Sequence, residues 1–476
     1  MNPISIIFGV LFYLSACSAF EVAKTWEISN YQRTLDVLKS YVKDRTTIVA
    51  RNIGSEPSAE IYAVVPGDNK DLALQVSILE SPQLTAPVLS SELVATENGF
   101  NYYRIQLPFP MAPKSEIRLL LSNIIVNQIS TLVEEDKMGA PQYLQVHTYK
   151  EPLSVYETKK YQLAIIGAKE FNELSTKKEG APEPIPSKER DTYIFGPYEG
   201  EYKADHFDEF HFSYRHDFPL PHVYNLERNF WVSHWSNALQ LEEYYELSNK
   251  AVKLDSGFSR VDFMNSKLGH SYSSVMNSIM IPLPENVETD GVYYTDKVGN
   301  VTTSAFVHGD LLLKPRFPIF GGWHYNFTLG WEHKLSEFSH ALDGALGEYL
   351  LKVKLLDGLV DAVYENVTLS VYLPEGAKFI NATAPFKWED MVIDREYSYL
   401  DVGSGHTKVT FHFSNLVDEL RGLNIIVHYR YSVLAMLKKP FVTAFYIFLA
   451  LMGLYFLRKV DVNIKPREYV SKPASK

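Results

Sequence analysis

The chain has 476 residues, 46% of them apolar and 13% aromatic, with a formal net charge of −11 and one cysteine. That acidity argues against a nucleic-acid partner, and the length suffices for two or three hydrophobic cores. A single cysteine excludes a disulfide framework, so size must replace the cross-links of small secreted domains.

The first nineteen residues contain no charged side chain. An apolar run from Ile4 to Leu14 leads into Ser15-Ala16-Cys17-Ser18-Ala19, which reads as a secretory signal peptide over residues 1–19, cleaved after Ala19. Cleavage there removes Cys17 and commits the following chain to the secretory lumen.

Residues 20–220 read as a first lumenal β-rich domain. Tyr103, Ile105 and Leu107 share one face before Pro108, the period-two signature of a half-buried strand. Residues 173–190 are charged, proline-rich and nearly without apolar side chains, which predicts an exposed, mobile loop. The densest titratable cluster follows, Asp205-His206-Phe207-Asp208-Glu209-Phe210-His211, and then His216, Asp217 and His222. On a strand, His206 and Asp208 would face one way and Glu209 and His211 the other. The cluster lacks cysteine and the helical His spacing of a zinc hydrolase, so it reads as a solvated strand that packs Phe207 or Phe210. Pro219 and Pro221 exclude a central strand and mark the boundary between two domains.

Residues 221–436 read as a second lumenal β-rich domain. Val367, Leu369, Val371 and Leu373 alternate before Pro374; Val409, Phe411 and Phe413 do the same, as do Ile425, Val427, Tyr429 and Tyr431. The fold class expected is mainly β: tandem antiparallel β-sandwich-type domains followed by one C-terminal transmembrane helix. Leu107-Pro108 and Leu373-Pro374, each closing a strand, hint that the halves are related. Four Asn-x-Thr acceptors, at Asn300, Asn326, Asn366 and Asn381, all lie in this half and are candidate glycosylation sites, with Asn326 the least favourable amid its aromatic neighbours.

Residues 437–458 read as the membrane helix. The uncharged stretch Phe441 to Leu457 is bracketed by Lys438-Lys439 and Arg458-Lys459. Seventeen residues cover roughly 25 Å, near the roughly 27 Å of a thin early-secretory bilayer. Pro440 is expected in the first helical turn, where its missing N–H costs nothing. With the signal removed, everything before the span is lumenal, and residues 459–476 form a short basic cytosolic tail, with five basic residues that Arg458 makes six, against Asp461 and Glu468. No nucleophile elbow, phosphate-binding glycine loop or dinucleotide fingerprint occurs, so no catalytic or cofactor-binding residue is assigned.

Four segments carry a resemblance: Val232-Ser233-His234-Trp235-Ser236-Asn237; Val292 to Ser304, which includes Tyr293-Tyr294-Thr295-Asp296; Arg316-Phe317-Pro318-Ile319-Phe320-Gly321-Gly322-Trp323; and Leu373-Pro374-Glu375-Gly376-Ala377-Lys378. In this order, with a span about sixty residues after the last, the chain resembles the ribophorin I family, the large single-pass subunit of eukaryotic oligosaccharyltransferase. The family-motif positions are Ser233, His234, Trp235, Asn237, Arg316, Pro318, Gly321, Gly322 and Trp323. Two departures stand out. The long cytosolic helical region of animal members has no counterpart in the short tail, as in fungal forms, and a family glycine is Ser236 here, which puts any left-handed backbone requirement at that turn in doubt.

The resemblance implies a non-catalytic subunit of the complex that transfers a dolichol-linked oligosaccharide to Asn-x-Ser/Thr in nascent polypeptides at the endoplasmic-reticulum membrane. It implies a multi-spanning catalytic partner that holds the divalent metal, small membrane subunits docked on the single helix, contact with acceptor polypeptides, and no cofactor of its own. The competing readings are a membrane-tethered lumenal lectin or chaperone and, resting on His206 alone, a lumenal hydrolase.

Overall fold

The computed structural model describes residues 22–460, apart from 68–70, 81–86, 176–185, 269–273, 284–286, 308, 343, 345, 399–400, 402 and 404. The expected signal peptide and most of the basic tail therefore lie outside the described residues. Nearly all regular structure is strand, as the alternation predicted, and every alternating segment cited above falls on one with its apolar side chains buried.

In the first half an eight-stranded sheet runs Ser187–Glu189, Thr192–Tyr202, Thr158–Ile166, Trp26–Asp36, Val42–Asn52, Glu116–Ile125, Leu72–Glu80 and Val88–Leu89. Behind it lie a three-stranded sheet (Ser58–Pro66, Phe100–Met111, Ser91–Glu97) and a four-stranded one (Lys169–Glu173, Glu209–Arg215, Tyr143–Tyr149, Ile129–Thr131). Tyr31, Ile105, Val146, Leu163 and Phe212, drawn from all three sheets, share one core.

The second half repeats this arrangement strand for strand. Its eight-stranded sheet runs Asp390–Glu396, His406–Val417, Val363–Tyr372, Pro221–Ser233, Ala238–Asn249, His324–Lys334, Glu288–Asp296 and Gly299–Asn300. The three-stranded sheet is Ile279–Pro282, Asp310–Leu313, Ser304–Val307, and the four-stranded one Lys378–Thr383, Asn424–Arg430, Glu348–Lys354, Ser339–Ala341. Both sets visit their sheets in the same chain order. In each, the first strand pairs antiparallel with the second and parallel with the third strand of the large sheet's centre: Trp26–Asp36 with Thr158–Ile166, and Pro221–Ser233 with Val363–Tyr372. The register breaks at the same place, between Ile28 and Asn30 and between Val223 and Asn225. The chain thus contains one fold twice, and the sheets are mixed rather than purely antiparallel.

The Leu-Pro pairs that hinted at this are not equivalent. Leu107 lies in Phe100–Met111, whose counterpart is Asp310–Leu313, whereas Leu373 follows Val363–Tyr372, whose counterpart is Thr158–Ile166. Pro221 opens a central strand as its first residue, a position where no ladder N–H is required, so the proline break is shorter than expected. Strands reach Glu173 and resume at Ser187, so they take in both ends of the expected loop, while 176–185 lie outside the described residues.

Each repeat buries one arginine at the same point. Arg33 and Arg228 follow their bulges by the same number of residues and point inward among Tyr31 and Leu35, or Leu226 and Phe230. Arg33 Nη2 is 2.7 Å from Asp44 Oδ2, and its Nη1 donates to the Tyr149 carbonyl at 2.8 Å. Arg228 meets Glu243 Oε1 at 2.6 Å and Asp357 Oδ2 at 2.5 Å, and its Nη1 donates to the Lys354 carbonyl at 2.8 Å. Tyr149 and Lys354 both end the equivalent strand of the four-stranded sheet, so each guanidinium ties the large sheet to the sheet packed on it. Burial works against the Arg228 charge, but Glu243 and Asp357 overcome it and hold the guanidinium protonated.

The halves are joined at the end of the second large sheet where Pro221 begins and Val417 ends. The tip of the first hairpin places Lys39 Nζ 2.7 Å from Asp418 Oδ2, and Tyr41 donates to Asp418 Oδ1 at 2.5 Å. Tyr41, Ile124 and Val126 enter the apolar core of the second half. Glu135–Asp136 pairs in parallel with Lys253–Leu254.

His216 is buried in this connection; its N–H donates to the Gln142 carbonyl, and the Gln142 side chain donates back to the His216 carbonyl. Burial pushes its imidazole down to about 4 and also lowers His222 and His234. An unfolded chain takes up the His216 proton near pH 6.5 and the folded one only near 4. This contribution is therefore complete above pH 6.5 and is lost as pH falls toward 4, by about 3 kcal/mol for His216. We expect Tm of the purified protein to fall through that window, and His216→Gln to flatten the slope; an unchanged slope would remove His216 from the account.

Two α-helices complete the described fold: Arg260–Leu268, which the sequence pattern did not announce, and Val433–Lys459.

Candidate functional site

The C-terminal helix has 27 residues, and none is buried against the rest of the chain. It is apolar and long enough to cross a bilayer, about 40 Å at the helical rise. It begins four residues before the expected start at 437, because Ser432 caps it: the hydroxyl accepts the Ala435 N–H, and that satisfies one of the free first-turn donors. Arg458 and Lys459 close the last turn, where cations suit the dipole.

This earlier start changes the meaning of Pro440. It is the eighth helical residue, not part of the first turn. Without an N–H it cannot bond the carbonyl one turn back, that of Met436. The Trp235 indole N–H donates to this carbonyl at 3.1 Å. A motif residue thus supplies the donor that the helix lacks.

Trp235 sits at the tip between Pro221–Ser233 and Ala238–Asn249. His234 beside it meets the Tyr429 hydroxyl at 2.7 Å and packs on Tyr349 and Tyr431. Ser233 holds the turn through the Ser236 hydroxyl at 2.8 Å. The left-handed residue of this turn is Asn237, at φ 53°, so replacing the family glycine by Ser236 leaves the turn intact. Asn237 Oδ1 also accepts the Ser336 N–H. Lys439 Nζ bonds Asp401 Oδ1 at 2.8 Å, and Asp401 also faces His406 at 3.3 Å. Lys439 and the nearby His406 hold the Asp401 carboxyl below its usual range although burial opposes this. The equivalent tip of the first repeat, with Lys39 and Tyr41, docks on the second repeat. The second tip docks on the helix.

The second motif group lies at the opposite end of the same sheet, about 35 Å away along strands of this length. Arg316 Nε donates to Asp296 Oδ2 at 2.6 Å and its Nη2 to the Asn300 carbonyl at 3.0 Å, which fixes the turn that carries the first acceptor sequence. Pro318 is half-buried; Ile319 and Phe320 are buried, and Phe320 packs edge-on to Trp323. Gly321 bridges to Lys253, and a Cβ there would stand 2.0 Å from the Val252 carbonyl oxygen; Gly322, at φ 77°, donates to the Asn249 carbonyl. These residues form a tight turn wedged where the halves meet. The structure does not bring the two motif groups together.

The acidic histidine cluster is a loop through Asp208 and a strand from Glu209, Phe210 and His211 onward, so His206 and Asp208 lie off the strand, and Asp205 is left-handed at φ 57°. His206 Nε2 lies 3.8 Å from both Glu151 Oε2 and Asp208 Oδ1, and its side chain is 62% exposed. Phe207 packs on Phe100, and Phe210 is buried. Among the acceptor asparagines, Asn300, Asn366 and Asn381 are exposed, whereas Asn326 is half-buried mid-strand with its amide donating to the Tyr244 hydroxyl at 3.0 Å. The buried arginines and the tryptophan tie were missed by the sequence reading. An inward charge on an apolar face at Arg33 and Arg228 is the signal that was available.

A family model for ribophorin I matches residues 26–458, nearly all of the described chain. The chain belongs to the ribophorin I family. Several relatives match over most of the chain. Subunit 1B of the dolichyl-diphosphooligosaccharide–protein glycosyltransferase of Arabidopsis thaliana is 28% identical over 95% of this chain and 96% of its own length. Subunit 1 from Caenorhabditis elegans is 26% identical over 96% and 76%, and subunit 1 from Schizosaccharomyces pombe 27% over 86% and 90%. Overlap with native leukotriene A4 hydrolase from Saccharomyces cerevisiae covers 40% of this chain and 29% of that one at 11% identity, and its TM-score of 0.29 is too low to equate the folds.

Proposed function

We infer that this chain is a membrane-anchored subunit of the oligosaccharyltransferase complex and acts in protein N-linked glycosylation. The observation that carries the reading is the collinear match, over 95% of this chain and 96% of the relative, to a protein named as subunit 1B of that transferase. The chain associates with the other subunits of the complex; the partners proposed are a multi-spanning catalytic subunit and small membrane subunits on the exposed helix. The endoplasmic-reticulum membrane is the proposed location, with residues 20–436 lumenal in two domains that meet near 220 and the basic tail cytosolic.

The role proposed is architectural rather than catalytic. The described cluster closest to a reactive site, at His206, is an open loop whose carboxylates stand beyond hydrogen-bond distance. The two repeats stack end to end on the span and would give the complex a stiff lumenal column along which acceptor polypeptide can be presented. Purification of the tagged full chain in mild detergent tests this reading: it predicts a multi-spanning partner at constant stoichiometry, and recovery alone would overturn it.

Asn300, Asn366 and Asn381 are proposed to carry glycans. A glycan on Asn326 would displace the contact of its amide with Tyr244 on the neighbouring strand. Mass spectrometry of tryptic peptides is expected to show the first three occupied and Asn326 mostly bare.

A further inference from the structure

We propose that the lumenal body is seated in the bilayer interface, with the second hairpin tip and its neighbouring loop in contact with phospholipid. The argument needs the helix Val433–Lys459 to be the span, but not the transferase role. Trp235 is tied to Met436, five residues before the uninterrupted apolar run starts at Phe441. Five residues rise about 7 Å along a helix, and the headgroup layer is about 5 to 7 Å thick on each side of the hydrocarbon. The bond to Met436 therefore sets the indole at headgroup depth, where tryptophan concentrates because its body is apolar and its N–H polar.

What remains uncovered there is mostly apolar. Trp235 is 58% exposed although its one polar atom is satisfied. Val433 and Leu434, in the first helical turn, are exposed, and so is Leu346, fully, on a loop whose Gly347 carbonyl accepts the Tyr431 N–H just before the helix. Lys439 is paired with Asp401, and the exposed Lys438 beside it is a cation suited to a phosphate headgroup at the same depth. The repeat strengthens the case. The equivalent tip in the first half, Lys39 to Tyr41, is charged and hydroxylated and meets carboxylates of the second repeat. The same hairpin tip docks in both places, and in the second its chemistry is that of a membrane interface.

The test uses the full chain, Cys17→Ser, purified with its membrane partners in phosphatidylcholine nanodiscs. Single cysteines at Ser236→Cys, Leu346→Cys, Val298→Cys and Leu449→Cys carry a polarity-sensitive fluorophore. Val298 lies at the opposite end of the large sheet and Leu449 mid-helix. A phospholipid with a nitroxide near its headgroup is expected to quench most of the emission at 236 and 346 and leave 298 unchanged, while iodide quenches 298. Iodide quenching at 236 and 346 without lipid quenching would place the rim in water, and protection from both quenchers would place a protein over it; either overturns the proposal. A deep nitroxide that quenches 449 in the same samples confirms the span, so failure at the rim is separable from failure of the topology. Trp235→Phe, which keeps an aromatic ring and removes the donor, is expected to reduce lipid quenching at 236 in the native chain but not in Pro440→Ala, where the helix regains its own N–H.

Discussion

Arg228→Ala is expected to abolish the folded state of the second repeat. The substitution leaves the fully buried Glu243 carboxylate without its cation, leaves Asp357 with only Lys354 Nζ at 3.4 Å, and leaves the Lys354 carbonyl without its donor. Removing one partner from a buried ion pair costs about 3 to 5 kcal/mol, a large part of the roughly 5 to 15 kcal/mol by which a domain is stable. Arg228→Lys should not rescue it, because an ammonium cannot reach two carboxylates and a carbonyl in one planar fork. Arg33→Ala is the matching experiment in the first repeat, where Asp44 loses the guanidinium paired with it and the Tyr149 carbonyl its donor. Hydrogen exchange followed by mass spectrometry reads the outcome by position: protection should collapse after residue 221 for Arg228→Ala and before 216 for Arg33→Ala. Retained protection in the altered half would show that the arginine network does not support the fold.

Gly321→Ala is expected to cost about 3 kcal/mol, at the upper end for forcing one methyl into a packed site. The added carbon would stand 2.0 Å from the Val252 oxygen and 2.4 Å from that of Ala251, both backbone atoms that cannot rotate aside. The turn must withdraw, and the pairing of Gly321 with Lys253 and the Gly322 bond to Asn249 go with it. Because Lys253 also pairs with Glu135, the damage reaches the contact between halves. Gly200→Ala, with nothing within 4 Å of its added carbon, is the control and should change stability by less than about 0.5 kcal/mol. Urea unfolding of the purified protein measures both; equal midpoints would contradict the steric argument.

Much of this fold is legible in the sequence because its strands bury one face. Val367, Leu369 and Val371 lie inward as their alternation requires, and the apolar run after Lys439 is helical. The duplication is harder to see. The repeats share strand order and register, yet Arg33 lies opposite Thr46 and is met by Asp44 two residues away, whereas Arg228 lies directly opposite its acid Glu243, and the segments after the third strand differ in length and composition. Topology is a long-range property, and period-two patterns carry no information on which strand pairs with which. The helix start was misplaced for a local reason: hydropathy begins at Phe441, but the cap at Ser432 starts the helix earlier. That error concealed the interior position of Pro440, and with it the role of Trp235. The motif residues were visible as a pattern; what they touch depends on tertiary packing at two opposite ends of one sheet.

The central claim is that this chain works as a subunit of the transferase that attaches oligosaccharide to asparagine. The most direct measurement is transfer from a lipid-linked donor to an Asn-x-Thr peptide by membranes depleted of the chain and then supplied with it. The account predicts that transfer falls on depletion and returns with the full chain, while the chain purified alone transfers nothing. Undiminished transfer in its absence, with the remaining complex intact, would contradict it.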